Sequence, residues 1–308
     1  MYYFIVNKSS GSGHGATVWE QVKKVLDAKD VQYQFFVTKK RNHASALASE
    51  ICAMADSDIR MVVLGGDGTI NEVLNGITDF SRIRFGVIPV GSANDFVTGA
   101  KLEKNPMKAL DRILAGKGDK HFDLGEVKFA NGKRRIFGIS AGVGIDAIVC
   151  KKALTSKLKD FLNKIGLGSL TYVLLTIASL FQMEQVPMTI RMTTKKGSLV
   201  KEIPSAIFVA GMNVPIEGGG VPMAPHASCH DGYLTSCCAY GFNKFNGLLA
   251  LLKVTSGKHE HADGFLVEDF YTMEITCKKP MVVHTDGEYG GEHTKVTFQV
   301  IPHALRML

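Results

Sequence analysis

The segment MVVLGGDGTINEVLNG, Met61 to Gly76, narrows what this chain can fold into more than any other stretch. Its apolar residues Met61 to Leu64 read as a buried strand, which Gly65 and Gly66 break at once. After Asp67, Gly68 and Thr69, the apolar positions Ile70, Val73, Leu74 and Ile77 recur at helical spacing. A glycine-rich turn between a strand and a helix N-terminus offers backbone N–H donors and the positive end of a helix dipole. Such a turn binds anions, polyphosphates best of all. Asp67 lies in the same turn, so a carboxylate sits where phosphate is expected. The two repel unless Mg²⁺ bridges them or the charge has another use. The spacing matches neither G-x-G-x-x-G nor G-x-x-x-x-G-K-[ST], so neither the dinucleotide fold nor the P-loop is supported. A turn that needs glycine for its backbone alone is the plain alternative.

The same construction occurs twice more. Tyr2 to Val6 reads as a strand, followed by Asn7, Lys8, Ser9, Ser10, Gly11, Ser12 and Gly13 and then a helical pattern through Val18, Val22, Val25 and Leu26. Phe85 to Val90 reads as a third strand, ending in Gly91, Ser92, Ala93, Asn94, Asp95 and Phe96. Three parallel-type strands with such loops would line them along the C-terminal edge of one sheet, where open α/β sheets bind ligands.

Taken together, NKSSG near the start, GGDGTINEVLNG and PVGSANDF resemble the bacterial diacylglycerol kinase family of soluble lipid kinases, relatives of the sphingosine kinases and more distantly of the NAD kinases. The resemblance continues through FDLGEV (Phe122 to Val127), the GGG…AP…DGYL run (Gly218 to Leu234) and TDGE (Thr285 to Glu288), and so covers nearly the whole chain. Lys8 stands where that family usually has proline, and Ser92 where it has threonine, which keeps the hydroxyl.

The resemblance implies an ATP-dependent lipid kinase using Mg²⁺. ATP would lie against the three loops, with Asn7, Lys8, Ser9, Ser10 and Gly11 and then Gly65, Gly66, Asp67, Gly68, Thr69, Ile70 and Asn71 around its phosphates. Ser92, Asn94 and Asp95 of the third loop, and Thr38 after the Tyr33–Val37 strand, would add contacts. Asp67 would also serve catalysis beside Mg²⁺. A structural Mg²⁺ is implied at Asp231, with backbone carbonyls placed on Ser228 and Tyr233, while Asp123 is implied to hold metal-bound water. Read on their own, Asp231 and Gly232 are equally an ordinary Asx turn. Asp286 and Glu288 flank Gly287 after an apolar strand, a hairpin turn in its own right. The resemblance makes this DGE the catalytic element, and phosphoryl transfer to a hydroxyl does need a carboxylate to orient and accept the proton.

The acceptor implied first is diacylglycerol, with phosphatidylglycerol, undecaprenol or a sphingoid base as other lipid alcohols. NAD kinase shares G-G-D-G-T, but NEVLNG, GSANDF and the late DGE favour the lipid kinases. A nucleotide- or lipid-binding regulator without activity is disfavoured by the retained Asp67, Asp231, Asp286 and Glu288.

Composition fits a core-forming globular chain, with 45% hydrophobic and 21% charged residues over 308 positions. Six scattered cysteines without C-x-x-C spacing suit a reduced, cytoplasmic setting, and no secretory signal is evident. The longest apolar run, Ser169 to Phe181, is shorter than the roughly 20 residues that span a bilayer and reads as a core helix. Phe245 to Val254 reads as a second packing helix, with contact of either helix with a bilayer as the lesser alternative. The net charge of +7 is spread along the chain, with clusters only at Lys39–Arg41, Lys133–Arg135 and Lys151–Lys159 and no aromatic interleaving, which speaks against a nucleic-acid reader. Each cluster reads first as a solvated basic face, and the overall sign suits transient, peripheral visits to an anionic membrane surface. A homodimer is left open.

Two domains are expected. Residues 1–128 alternate strand and helix, as in a doubly wound α/β nucleotide-binding domain. Residues 129–295 carry mainly extended runs, led by Val127–Phe129 at the junction and including Phe270–Cys277 and Met281–Thr285, as in a β-rich, sandwich-like lipid-substrate domain. The segment 296–308 is expected to return to the first domain.

Overall fold

The computed structural model describes residues 1–54, 58–116, 118, 120–154, 178–180, 182 and 185–308. The run Ser169 to Phe181 lies outside them apart from 178–180, and the Lys151–Lys159 cluster lies outside them from 155 onward. The chain divides into two compact units, Met1–Leu124 with Pro302–Leu308, and Gly125–Ile301.

The first unit alternates β1 (Tyr2–Val6), α1 (His14–Ala28), β2 (Tyr33–Val37), α2 (His43–Met54), β3 (Ile59–Gly65), α3 (Asp67–Leu74), β4 (Ile83–Pro89), α4 (Asp95–Gly99) and α5 (Pro106–Ala115). The strands pair in parallel in the order β2-β1-β3-β4. The end of the last strand, β14 (Glu288–Met307), adds in parallel beside β4, with Arg306 and Met307 opposite Arg84 and Phe85. Every residue of β1 is buried, as a parallel strand covered on both faces requires. Val18, Trp19, Val22 and Leu26 of α1 pack with Leu110 and Ile113 of α5 against Phe4, Val6, Val62, Leu64 and Ile88. Helix α5 is bounded by its own residues: the Asn105 side chain accepts from Met107 and Lys108 N–H, Pro106 opens the first turn, and Gly116 closes it at φ 62°.

The second unit is antiparallel. The strands β5 (His121–Phe129) and β6 (Arg134–Phe137) form a hairpin. The chain continues through β7 (Ser140–Gly144), α6 (Ile145–Leu154), β8 (Val186–Thr194), β9 (Gly197–Met212), β10 (Leu234–Tyr240), α7 (Lys244–Thr255) and β13 (Thr272–Thr285), with the short β11 (Phe265–Leu266) and β12 (Asp269–Phe270) between the last two. Both long strands, β9 and β13, pair with β8 along one half and with β7 along the other. They therefore pass from one layer to the next around a core of Phe137, Met188, Ile190, Phe270, Met273, Ile275 and Phe298.

Five elements differ from the sequence reading. Helix α3 begins at Asp67 rather than Ile70, because the acidic residue occupies its first turn, where the dipole favours a negative charge. FDLGEV lies within the strand β5 rather than ahead of one. The runs Phe270–Cys277 and Met281–Thr285 belong largely to one strand, β13, whose register against β14 shifts between Thr276 and Met281. Helices α4 and α6 had no periodic pattern long enough to announce them.

Candidate functional site

In a 2-1-3-4 parallel sheet the connections leave β1 and β3 in opposite directions, which opens the β1/β3 edge to a ligand. The loop Asn7–Gly13 follows β1 and the turn at Gly65–Gly66 ends β3, so both flank this switch point. The loops are tied together by short-range chemistry. Asn7 Nδ2 donates to Thr69 Oγ1 at 2.9 Å, and Asn7 Oδ1 accepts from Ser9 N–H. Asn94, at φ 54°, accepts from Gly91 N–H and donates to Gly91 C=O, both at 2.9 Å. A Cβ on Gly66 would lie 2.8 Å from the Gly91 Cα, and one on Gly91 would lie 2.6 Å from the Gly66 Cα. These two glycines exist because two backbones meet there.

Asp67 reaches across to the third loop. Its two carboxylate oxygens accept from Asp95 and Phe96 N–H at 3.1 Å each, so it caps α4 across the loops. The N-terminus of α3 itself has no side-chain cap: Gly66 precedes it in extended conformation. Uncapped backbone N–H groups at a helix N-terminus are of the kind that takes an anion.

The other residues expected around ATP fall into two groups. Ile70, Asn71 and Asp95 are buried and support the loops from beneath. Ser92 is exposed, and Lys8 makes a surface ion pair with Glu20 at 3.6 Å. Thr38 follows β2, its N–H bonded to Val6 C=O beside the first loop. An open cavity of about 410 Å³ runs along Gly11, Ser12, Pro89 to Ser92, His14, Lys104 and Pro106. Its two basic side chains, His14 and Lys104, carry no motif and were not read from the sequence.

Asp123 is fully buried, and its Oδ1 accepts from His303 N–H at 2.7 Å. It fastens the returning C-terminal segment within the first unit, a task its surroundings in sequence could not announce. In the second unit Asp231 is exposed and accepts from Tyr233 N–H at 3.1 Å, the Asx turn of the plain reading. Ser228 lies in the same loop, whose oxygen donors are of the kind a hard cation takes.

The DGE turn is built by strand pairing. His284 and Thr285 lie opposite Gly142 and Ala141, which brings Asp286 to the β6–β7 corner. There Asp286 N–H donates to Ser140 C=O at 2.8 Å. Its carboxylate accepts three backbone N–H bonds, from Gly138 at 2.9 Å, Ile139 at 2.8 Å and Ser140 at 3.0 Å. Three amides on one carboxylate fix its orientation. Glu288 opens β14 just beyond.

Behind this turn sits a cluster that sequence reasoning missed. His284 Nε2 lies 3.1 Å from Asp146 Oδ2, Ser140 Oγ donates to Glu217, and the ligand atoms of Asp146, Glu217 and His284 lie within 4.8 Å of one another. A Cβ on Gly142 would collide with Asp146 Oδ2 and His284 Nε2, so the glycine makes room for the pair. Burial alone would depress the His284 imidazole, but the Asp146 hydrogen bond and charge, then Glu217 and Asp286, outweigh it and push it up to about 9. Gly287 N–H lies 3.3 Å from Nδ1, a contact that only a neutral ring accepts. The ligand atoms of this group are of the kind that could also hold a metal ion. The signals were faint: an acid opening a helix after GVG, and a histidine two residues before the DGE.

A glycine-looped parallel sheet open at its switch point, continued by an antiparallel unit carrying an anchored carboxylate turn, defines a nucleotide-using phosphotransferase of two units. Residues 1–127 match the model of the diacylglycerol kinase catalytic domain, and residues 139–308 that of the YegS C-terminal NAD kinase beta sandwich-like domain. The "Putative lipid kinase YtlR" of Bacillus subtilis (strain 168) is 32% identical over 303 residues, 94% of each chain. A diacylglycerol kinase of Staphylococcus carnosus (strain TM300) is 27% identical, covering 94% of this chain and 88% of its own. A crystal structure of a diacylglycerol kinase from Bacillus anthracis str. Sterne superposes with a TM-score of 0.72 at 22% identity, over 99% of this chain and 95% of that one, and so shares the fold. The chain belongs to the diacylglycerol kinase family and is an ATP-dependent lipid kinase. No helix among the described residues is long and apolar enough to cross a membrane.

Proposed function

We propose that this kinase phosphorylates diacylglycerol to phosphatidic acid, working from the aqueous side at an anionic membrane surface. The names of its diacylglycerol kinase relatives support that acceptor. The observation that carries the chemistry is Asp286, a carboxylate held in place by three backbone amides in a turn that ends at Glu288. An oriented, immobile acceptor is what a general base needs. In the proposed reaction the acceptor hydroxyl oxygen bonds to the γ-phosphorus, the bond to the ADP oxygen breaks, and the hydroxyl proton passes to the Asp286–Glu288 turn. The loops at Asn7–Gly11 and Gly65–Asn71 hold the ATP phosphates, aided by the N-terminus of α3. Mg²⁺, when bound, would neutralise charge on the transferring phosphoryl group. The oxygen-rich loop of Ser228, Asp231 and Tyr233 fits a second, structural Mg²⁺.

Incubating the purified protein with γ-labelled ATP and a total lipid extract, then identifying the labelled product, tests the acceptor. Labelled phosphatidic acid is expected. Label on phosphatidylglycerol, undecaprenol or a sphingoid base instead would replace diacylglycerol while leaving the kinase chemistry in place.

A further inference from the structure

Helix α7 distributes its side chains in an unusual way. Gly247, Ala250 and Val254 are buried, and Leu248 and Leu251 are partly buried against the same core. A Cβ on Gly247 would come within 3.1 Å of Leu180, so the helix lies close to its support. Three further large apolar residues point the other way: Phe245 is 78% exposed, and Leu249 and Leu252 are 59% exposed. At 100° per residue these three fall within one narrow stripe, opposite the buried face. Their i, i+4, i+7 spacing makes a continuous ridge rather than scattered surface residues.

The charge along the helix and its exit has one sign. From 244 to 258 the sequence contains Lys244, Lys253 and Lys258 and no acidic residue, and Lys253 and Lys258 are exposed. A second copy of the chain would bring the same positive segment against itself. An anionic bilayer offers both an apolar layer for the ridge and negative headgroups for the lysines. We infer that α7 is the surface by which this kinase seats on anionic membranes, with Phe245, Leu249 and Leu252 entering the headgroup boundary. The choice of a bilayer as occupant rests on the lipid-kinase reading.

Co-sedimentation of the full chain with vesicles of equimolar phosphatidylglycerol and phosphatidylcholine, and with vesicles of phosphatidylcholine alone, tests this. Wild type should bind the anionic vesicles and lose them as salt rises. Leu249→Ser with Leu252→Ser should lower binding by at least about tenfold, and Lys253→Glu with Lys258→Glu should lower it on anionic vesicles only. Both double variants alter exposed positions and should keep the wild-type melting temperature and turnover on a short-chain, monomerically dispersed diacylglycerol. Leu252→Trp should shift its emission to the blue on anionic vesicles, while the buried Trp19 stays constant. Unchanged vesicle binding in the leucine variant overturns the assignment. So does a wild-type dimer that this variant converts to monomer without loss of vesicle binding. Failure to turn over any lipid would instead strike the acceptor reading and leave the vesicle result standing.

Discussion

At the scale of single residues, Asp286 and Glu288 are not equivalent probes. An asparagine at 286 keeps one oxygen but places an amide NH₂ against Gly138 or the Ile139–Ser140 N–H pair. Asp286→Asn should therefore lose about 1–3 kcal/mol of stability as well as activity. Glu288→Gln should keep the wild-type melting temperature, so its kinetics are the cleaner measure. A fall of about 10²-fold in kcat for Glu288→Gln with unchanged KM for ATP marks it as acting at the chemical step; a raised ATP KM marks a nucleotide contact. His284 makes a second residue-scale prediction. Its folded value of about 9 lies above the unfolded 6.5, so its contribution is fully present below about pH 6.5 and is lost as pH rises through about 9. That rise corresponds to on the order of 3 kcal/mol. Urea midpoints from pH 6 to 10 should fall across that window in wild type. His284→Gln should be weaker near neutrality, leaving Asp146 and Glu217 uncompensated, and should show a flatter profile.

At the scale of elements, the three loops that end β1, β3 and β4 are held by each other. Asp67→Ala removes both acceptors at the start of α4 and should cost about 1–2 kcal/mol even before ATP is added. Gly66→Val should behave as a structural variant. Its Cβ would press on the Gly91 backbone at 2.8 Å, so thermal stability should fall together with ATP affinity. Calorimetry on the ATP-free protein separates these outcomes from a pure binding defect, in which the melting temperature would not move. The strand β13 shows the same dependence on pairing: its register against β7, His284 opposite Gly142, is what delivers Asp286 to the Ser140 corner.

At the scale of the whole molecule, metal and chain connectivity set the expectations. If the Ser228–Tyr233 loop holds Mg²⁺, added Mg²⁺ should raise the melting temperature of wild type by mass action, and Asp231→Asn should respond less. An equal response in both proteins would restore the plain Asx turn. The sequence by itself determined the elements whose physics is local. Buried apolar runs followed by glycine-containing loops marked β1, β3 and β4. The GGDG, GSAND and DGE segments were legible because glycine and carboxylates at strand ends serve few purposes. What these carboxylates hold was decided only by tertiary structure. Asp67 reaches α4, Asp123 reaches the backbone of His303, and Asp286 reaches Gly138 to Ser140, partners between 28 and 180 positions away in sequence. The Asp146–Glu217–His284 cluster is assembled from three separate elements in the same way. No periodicity encodes such meetings, because a side chain's hydrogen-bond partner is set by strand register and chain return rather than by its neighbours in sequence.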